Sequence, residues 1–320
     1  MLGELFETPD AKNLNNDDPV EQIFHSGSVA KNSRELAYTD KFANFIQTHP
    51  DFLLKTKKAA DALFDLPVDQ PVPIQELDNV KIEYIDWHGK AERKYYKVTA
   101  DDGQEFFLKV GVLSNKNSIH DENSAEDLLS MQKVKEALCG FTAFKVSAID
   151  YQIGYKDNKR TYSLASFDER TRNSIGKQMN NLNDKIYKEN NQNFVIQRLL
   201  KLSRTRYDLR KLYYASLYLP SVRTRTAEIV PRLEEIEKEI ETVKNQIYEA
   251  ASGHDTIEIV DSVLARDELS SKYLHLRSYL DSQELANDFH EDQMSYDKLT
   301  DEALVFDIRK GRYFDIEDAF

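Results

Sequence analysis

Three consecutive stretches between Val80 and Val110 alternate apolar with polar residues, and no other part of the chain constrains the fold as strongly. Val80–Trp87 (VKIEYIDW), Lys94–Thr99 and Glu105–Val110 (EFFLKV) place every second side chain on one face, the period of a half-buried strand. Their connections are a turn at His88–Glu92, which contains Gly89, and the Asp101-Asp102-Gly103 turn, a strong hairpin signal. Strands joined this closely pair antiparallel with their neighbours, so an antiparallel meander is expected.

After a loop rich in Asn and Ser, the run from Ser124 to Asp127 reads as a capping box. It opens a helix that reaches Leu138, with Leu128, Met131, Val134 and Leu138 along one stripe. Two further strands are expected at Phe144–Tyr155 and Arg160–Phe167. Upstream, residues 1–20 are polar and turn-rich and are expected to be poorly ordered. Helical spacing then predicts helices over Ser33–Gln47 and Asp51–Phe64, ahead of the breakers Pro67, Pro71 and Pro73. Residues 1–78 therefore read as a helical extension packed on the strand region that begins at Val80.

From 170 to 285 the pattern is helical. Ile229, Leu233, Ile236, Ile240, Val243 and Ile247 form a heptad-like seam that ends at Gly253. A second helix comes next at about Thr256–Leu285, and the two are expected to form a hairpin within the chain. Arg204, Arg206, Arg210, Lys211, Arg223 and Arg225 cluster in sequence with Tyr207, Tyr213 and Tyr214, and read as a solvated face.

Composition removes several function classes. A net charge of −13 opposes broad attraction to nucleic acid or an anionic membrane, and would suit a cationic substrate. Cys139 is the single cysteine, so an internal disulfide and a cysteine metal cluster are excluded, which fits a reducing cytoplasm. The start of the sequence lacks the basic-then-apolar pattern of a signal peptide, and no apolar run has the length of a membrane span.

The chemistry is concentrated in Leu285–Asp307, LANDFHEDQMSYDKLTDEALVFD. Asp288 is followed by His290 and then by Gln293, five residues on from the acid. A turn at Lys298–Glu302 leads into the apolar run Ala303–Phe306, which ends at Asp307. A loop acid, a nearby amide and a second acid at a strand tip can serve a magnesium–phosphate site. Magnesium requires hard oxygen ligands in a rigid arrangement, and the loop acid orients an attacking hydroxyl.

This segment, together with Lys109 in F-L-K-V ahead of the capped helix, resembles the kinase-like fold. The pattern D-x-H-x-x-Q resembles the catalytic loop of aminoglycoside-phosphotransferase-type small-molecule kinases. The resemblance covers roughly Val80 to Asp307. It implies an α+β, two-lobed protein-kinase-like fold with a small antiparallel sheet lobe, a largely helical second lobe and the N-terminal helical extension. Residues 79–168 would form the first lobe, with a five-stranded sheet and one helix, and 169–320 the second, with the catalytic-loop-like segment at 286–307. Ser166–Glu169 would be the hinge.

By the same resemblance the chain is an ATP- and Mg²⁺-dependent phosphotransferase acting on a hydroxyl of a small molecule. Asp288 would be the catalytic base, Gln293 and Asp307 the metal ligands, and His290 a structural or substrate-side group. Lys109 would hold the ATP phosphates and Glu126 would hold Lys109, with Glu122 the second choice. Gly89 would sit in a turn that covers the phosphates.

The chain departs from the family pattern at several points. Ala286 stands where the family has a His, Gln293 replaces Asn, and Glu291-Asp292 replaces a Pro-Gly pair. Thirteen residues come after Asp307, without the terminal helices expected of a second lobe. Two alternatives stay open: a catalytically degenerate kinase-like protein that binds nucleotide or partners only, and a helical interaction or scaffold protein using helices in 223–285.

Overall fold

The structure, a computed structural model, describes residues 36–66, 75–77, 80–88, 93–112, 124–156, 160–188, 193–250, 254–286 and 288–308. Residues 1–20, the three prolines, Gly89, Glu122 and Gly253 lie outside the described residues. The protein is a mixed α+β chain in two compact units. The first unit comprises residues 1–129 and 150–168, and the second 130–149 and 169–320. Among the described residues, no helix is long and apolar enough to cross a membrane.

In the first unit the meander forms as β3 (Val80–His88), β4 (Arg93–Thr99) and β5 (Glu105–Val112). Four more strands join it: β1 (Leu36–Tyr38), β2 (Gln75–Leu77), β7 (Tyr151–Lys156) and β8 (Arg160–Ser166). The order is β1-β7-β8-β5-β4-β3-β2, antiparallel throughout, so the sheet has seven strands rather than the expected five. The two additions are three-residue edge strands from the segment read as helical. Leu36–Tyr38 pairs with Ile153–Tyr155, and the helix expected from Ser33 starts only at Asp40. Thr39 sets that start, since its Oγ1 accepts from the Phe42 N–H at 3.3 Å.

One face of this sheet is covered by α1 (Asp40–Thr48) and α2 (Phe52–Phe64). Phe42, Ile46, Leu53 and Leu63 pack there against Ile82, Tyr96, Val98, Phe106, Leu108 and Val110, all at most 1% exposed. Alternation along β4 and β5 brings these strand residues to the same face. Lys94 is buried with them, and its ammonium closes the end of α2 by donating to Phe64 O (2.6 Å) and Leu66 O (2.7 Å). Arg160 and Tyr162 of β8 reach the same helix through Asp61, at 2.6 and 2.7 Å.

The helix α3 (Ser124–Leu138) starts in the first unit and ends in the second. The stretch Phe144–Tyr155, expected as one strand, is two. β6 (Lys145–Ala148) belongs to the second unit, where it pairs parallel with β10 (Glu302–Val305), and β10 pairs antiparallel with β9 (Met294–Asp297). The division falls at Ile149 and Asp150. Ile149 N–H goes to Val305 O, while Asp150 O accepts from Ser166 N–H, both at 2.8 Å.

The rest of the second unit is helical: α4 (Ile175–Lys188), α5 (Phe194–Tyr218), α6 (Thr226–Ala250) and α7 (His254–Ser282). The seam on α6 is present, but its main partner is α5 and not the helix next in the chain. Ile240, Val243 and Ile247 meet Ile196, Leu199 and Leu202 of α5, with Arg198–Glu239 and Arg210–Glu237 ion pairs alongside. Val260 and Val263 of α7 close the same cluster. The helix α5 is thus the centre of the bundle.

Candidate functional site

The segment after α7 is fixed from several directions. Glu284 adopts a left-handed backbone (φ 59°) and Leu285 N–H returns to Leu280 O at 2.9 Å, which ends the helix. Ala286 and Phe289 are then buried, each 1% exposed, and the half-buried Asp288 lies between them. The Phe289 carbonyl accepts from Tyr273 Oη (3.1 Å) and Arg277 Nη1 (2.8 Å), both on α7. Burial raises the Tyr273 hydroxyl to about 12, so it stays a proton donor at neutral pH.

Residues 291–293 form a single 3₁₀ turn with His290 as its cap. His290 Nδ1 accepts from Asp292 N–H at 3.3 Å, and His290 N–H donates to Gln293 Oε1 at 3.0 Å. His290 thus caps the turn through both its ring and its backbone. The Gln293 side chain is 5% exposed and engaged at both ends, because its Nε2 donates to Asp307 O at 2.6 Å. The loop carrying Asp288 and the strand end carrying Asp307 are therefore joined through one amide. Phe306 N–H adds a backbone bond to Gln293 O at 3.0 Å.

Asp307 leaves β10 with φ 56°, a conformation that costs a non-glycine residue about 1–3 kcal/mol. The amide on its carbonyl helps hold it there. The hairpin itself is tied to α7: Lys272 reaches Asp301 at 2.6 Å, and Tyr296 Oη donates to Asp301 at 2.7 Å. Lys298 pairs with Glu268 at 2.5 Å. On the other side of the loop, Ser174 Oγ donates to Asp292 Oδ1 at 3.0 Å while accepting Lys177 N–H at 3.1 Å. The start of α4 and the 3₁₀ turn are close enough that a Cβ on Gly176 would lie 2.1 Å from Asp292 Oδ1.

The remaining predicted residues belong to the first unit. Lys109 sits on β5, between Tyr95 of β4 and Ser163 of β8, on the face opposite the α1–α2 core. It is 3% exposed, so it is not the solvent-facing lysine that strand alternation would otherwise suggest. Glu126 lies in the first turn of α3, and Gly89 and Glu122 lie outside the described residues. The structure thus ties His290, Gln293 and Asp307 together through hydrogen bonds within the second unit, with Asp288 two residues ahead of His290 on the same loop, and places Lys109 and Glu126 in the first.

Sequence reasoning missed a second group with ligand spacing. His49, Asp101 and Asp102 in the first unit offer ligand atoms within 4.8 Å of one another. His49 Nδ1 lies 3.0 Å from Phe45 O, which turns Nε2 toward Asp101 (3.0 Å) and Asp102 (3.5 Å). The residues stand some fifty positions apart, so no local spacing signals them.

The chain matches no protein-family model, and comparison with curated proteins and with solved structures likewise gave no match.

Proposed function

We propose that this chain transfers a phosphoryl group from ATP to a hydroxyl of a small molecule, with magnesium. The observation that carries this reading is the assembly around Gln293. The loop that carries the half-buried Asp288 and the strand tip that carries Asp307 are tied together by one buried amide, through the His290 N–H and the Asp307 carbonyl. Asp307 sits on strained backbone, and strain of this kind persists where surrounding structure over-determines a position, commonly a functional one.

The donor set suits magnesium, which prefers carboxylate and phosphate oxygens. Asp307 is the protein ligand in this reading. Gln293 acts chiefly as a positioning residue, with one lone pair left on Oε1 beside the bond from His290 N–H. Bound magnesium would supply neutralisation of charge on the phosphates. Asp288 accepts the proton of the acceptor hydroxyl. The kinase-like resemblance assigns Lys109 to the ATP phosphates and Glu126 to Lys109, and the burial of Lys109 on the third meander strand supports that assignment.

A second reading is a kinase-like protein that binds nucleotide without turning it over. It is favoured by Ala286, and by the bonding of Gln293 at both ends of its amide, which leaves that side chain little freedom to move toward a metal.

Thermal melting with millimolar Mg-ATP tests both. Binding to the folded state alone stabilises it by about 2.7 kcal/mol at a ligand concentration a hundred times Kd, so Tm should rise. Lys109→Met should remove the rise. Asp288→Asn should keep the rise and abolish ATP turnover if the protein is an active phosphotransferase. A wild-type chain that shows the rise without turnover supports the second reading, and the absence of any rise would overturn both.

A further inference from the structure

The helices α4, α5 and α7 enclose a groove with a volume of about 690 Å³. That lies within the roughly 300–1,000 Å³ typical of small-molecule sites. Its walls carry Asn183 and Tyr187 from α4, Lys201, Arg204 and Tyr207 from α5, and Arg266 from α7. All of these residues belong to the second unit.

The charge of this groove is opposite to that of the chain. Lys201 and Arg204 are exposed, and neither forms an ion pair among the described residues. Among the described residues the one carboxylate on its walls is Asp267, whose side chain is only 8% exposed and already engaged. It accepts from Ser203 Oγ at 2.6 Å, pairs with Arg206, and has Arg266 at 3.8 Å. Arg266 is itself held as a fork, with Nη1 on Asn183 Oδ1 (3.0 Å) and Nη2 on Ser203 Oγ (3.1 Å). Among the described residues the walls thus carry three cations, Lys201, Arg204 and Arg266, against one carboxylate, a surplus of two positive charges on a protein of net charge −13. Arg266 is fixed by the buried network, and the exposed Lys201 and Arg204 can close on a ligand. This combination draws and orients an anion, because charge-assisted hydrogen bonds are the stronger kind and a cleft of one sign concentrates its counter-ion.

The groove lies in the same unit as the candidate catalytic loop. Tyr207 forms part of its wall, and the hydroxyl of Tyr207 is raised chiefly by burial, with a further contribution from the Glu291 carboxylate. Glu291 stands in the 3₁₀ turn three residues after Asp288. Tyr187, 68% exposed, offers an aromatic ring at the α4 side, against which a sugar or base could lie.

We propose that this groove binds the acceptor, and that the acceptor is an anion: a hydroxylated small molecule bearing a phosphate or carboxylate group. The word acceptor rests on the phosphotransferase reading; the anion site does not. The proposal reverses the expectation of a cationic substrate drawn from net charge, since the overall balance hides a local excess of the opposite sign. It also corrects the reading of Arg204, Arg206 and Arg210 as one solvated face. Arg206 and Arg210 are largely covered by their partners Asp267 and Glu237, and only Arg204 of the three is exposed.

The test is calorimetric titration of the full chain, without nucleotide, with glucose 6-phosphate and with glucose as its neutral twin. Glucose 6-phosphate should bind and glucose should not. The double variant Lys201→Gln/Arg204→Gln should weaken binding at least tenfold while melting as the wild type does, because both side chains are exposed. No heat with millimolar glucose 6-phosphate, or equal affinity in the double variant, would overturn the proposal. Binding of spermidine in place of the sugar phosphate would overturn it as well. The two readings fail separately. Sugar-phosphate binding without an Mg-ATP effect on Tm leaves the groove and removes the phosphotransferase, and the converse removes the groove alone.

Discussion

Gly176 occupies the second position of α4, where replacement by alanine ordinarily stabilises a helix by up to about 1 kcal/mol. Here the added methyl meets the Asp292 carboxylate at 2.1 Å and the Asp292 backbone nitrogen at 3.4 Å. The carboxylate could swing away only by giving up its bond from Ser174 Oγ, the residue that also caps α4. The lost bond and the crowded backbone outweigh the propensity gain, and Gly176→Ala should lower stability by about 1–2 kcal/mol. Chemical denaturation measures this directly; a more stable variant would mean that α4 and the 3₁₀ turn are not in close approach. Gln293 shows a related point. Its spacing from Asp288 was visible in the sequence, but its bonds to two backbone groups depend on the chain between Gln293 and Asp307 folding back as a hairpin. No pattern of residue types records that.

At the scale of elements, α5 carries the second unit. Leu199 is fully buried between the α6 residues Ile240, Val243 and Ile247 and the α7 residues Val260 and Val263. Leu199→Ala should cost about 2–5 kcal/mol, whereas Leu212→Ala on the same helix, with Leu212 41% exposed, should stay within about 0.5 kcal/mol. Equal effects in denaturant melts would place the bundle's centre elsewhere. The heptad seam on α6 was legible because it is a property of one helix, but the choice of partner was not, since α5 and α7 both present apolar stripes. The same limit explains the sheets. The meander was readable from its period and its Asp-Asp-Gly turn, yet Phe144–Tyr155 is apolar enough to pass for one strand. Nothing like Gly or Pro marks the point at Ile149–Asp150 where the chain changes sheets. The edge strands β1 and β2, of three residues each, are too short to show any period.

For the whole molecule, stability should depend on pH through His275. Its ring stacks on Tyr214 at 4.3 Å, meets Phe141 edge-on at 5.3 Å, and shares a 2.8 Å hydrogen bond with Tyr218 Oη. Burial first, and the nearby Lys272 ammonium second, hold its pKa down at about 4. The unfolded chain, with a value near about 6.5, binds a proton first as pH falls, so folding stability declines from about pH 6.5 to pH 4 and is flat above. The full shift corresponds to about 3 kcal/mol, and partial exposure reduces this to about 1–2 kcal/mol. Denaturation at pH 7 and pH 4.5 should show that loss, and His275→Gln should flatten it; an unchanged slope would assign the acid sensitivity to other groups. The route of the chain matters at this scale too. It passes from the first unit to the second within α3, returns at Asp150 and leaves again after Asp168. No single scission yields two self-sufficient pieces. A break after Asp168 strands β6 with the amino-terminal half and strips β10 of its parallel neighbour, together with the Ile149 donor to Val305. Trimming at the linker that looks most natural in the primary structure would therefore give a carboxy-terminal half that lacks a strand of its own sheet and an amino-terminal half that carries that strand without its partner, and the smallest tractable version of this protein is the threaded whole.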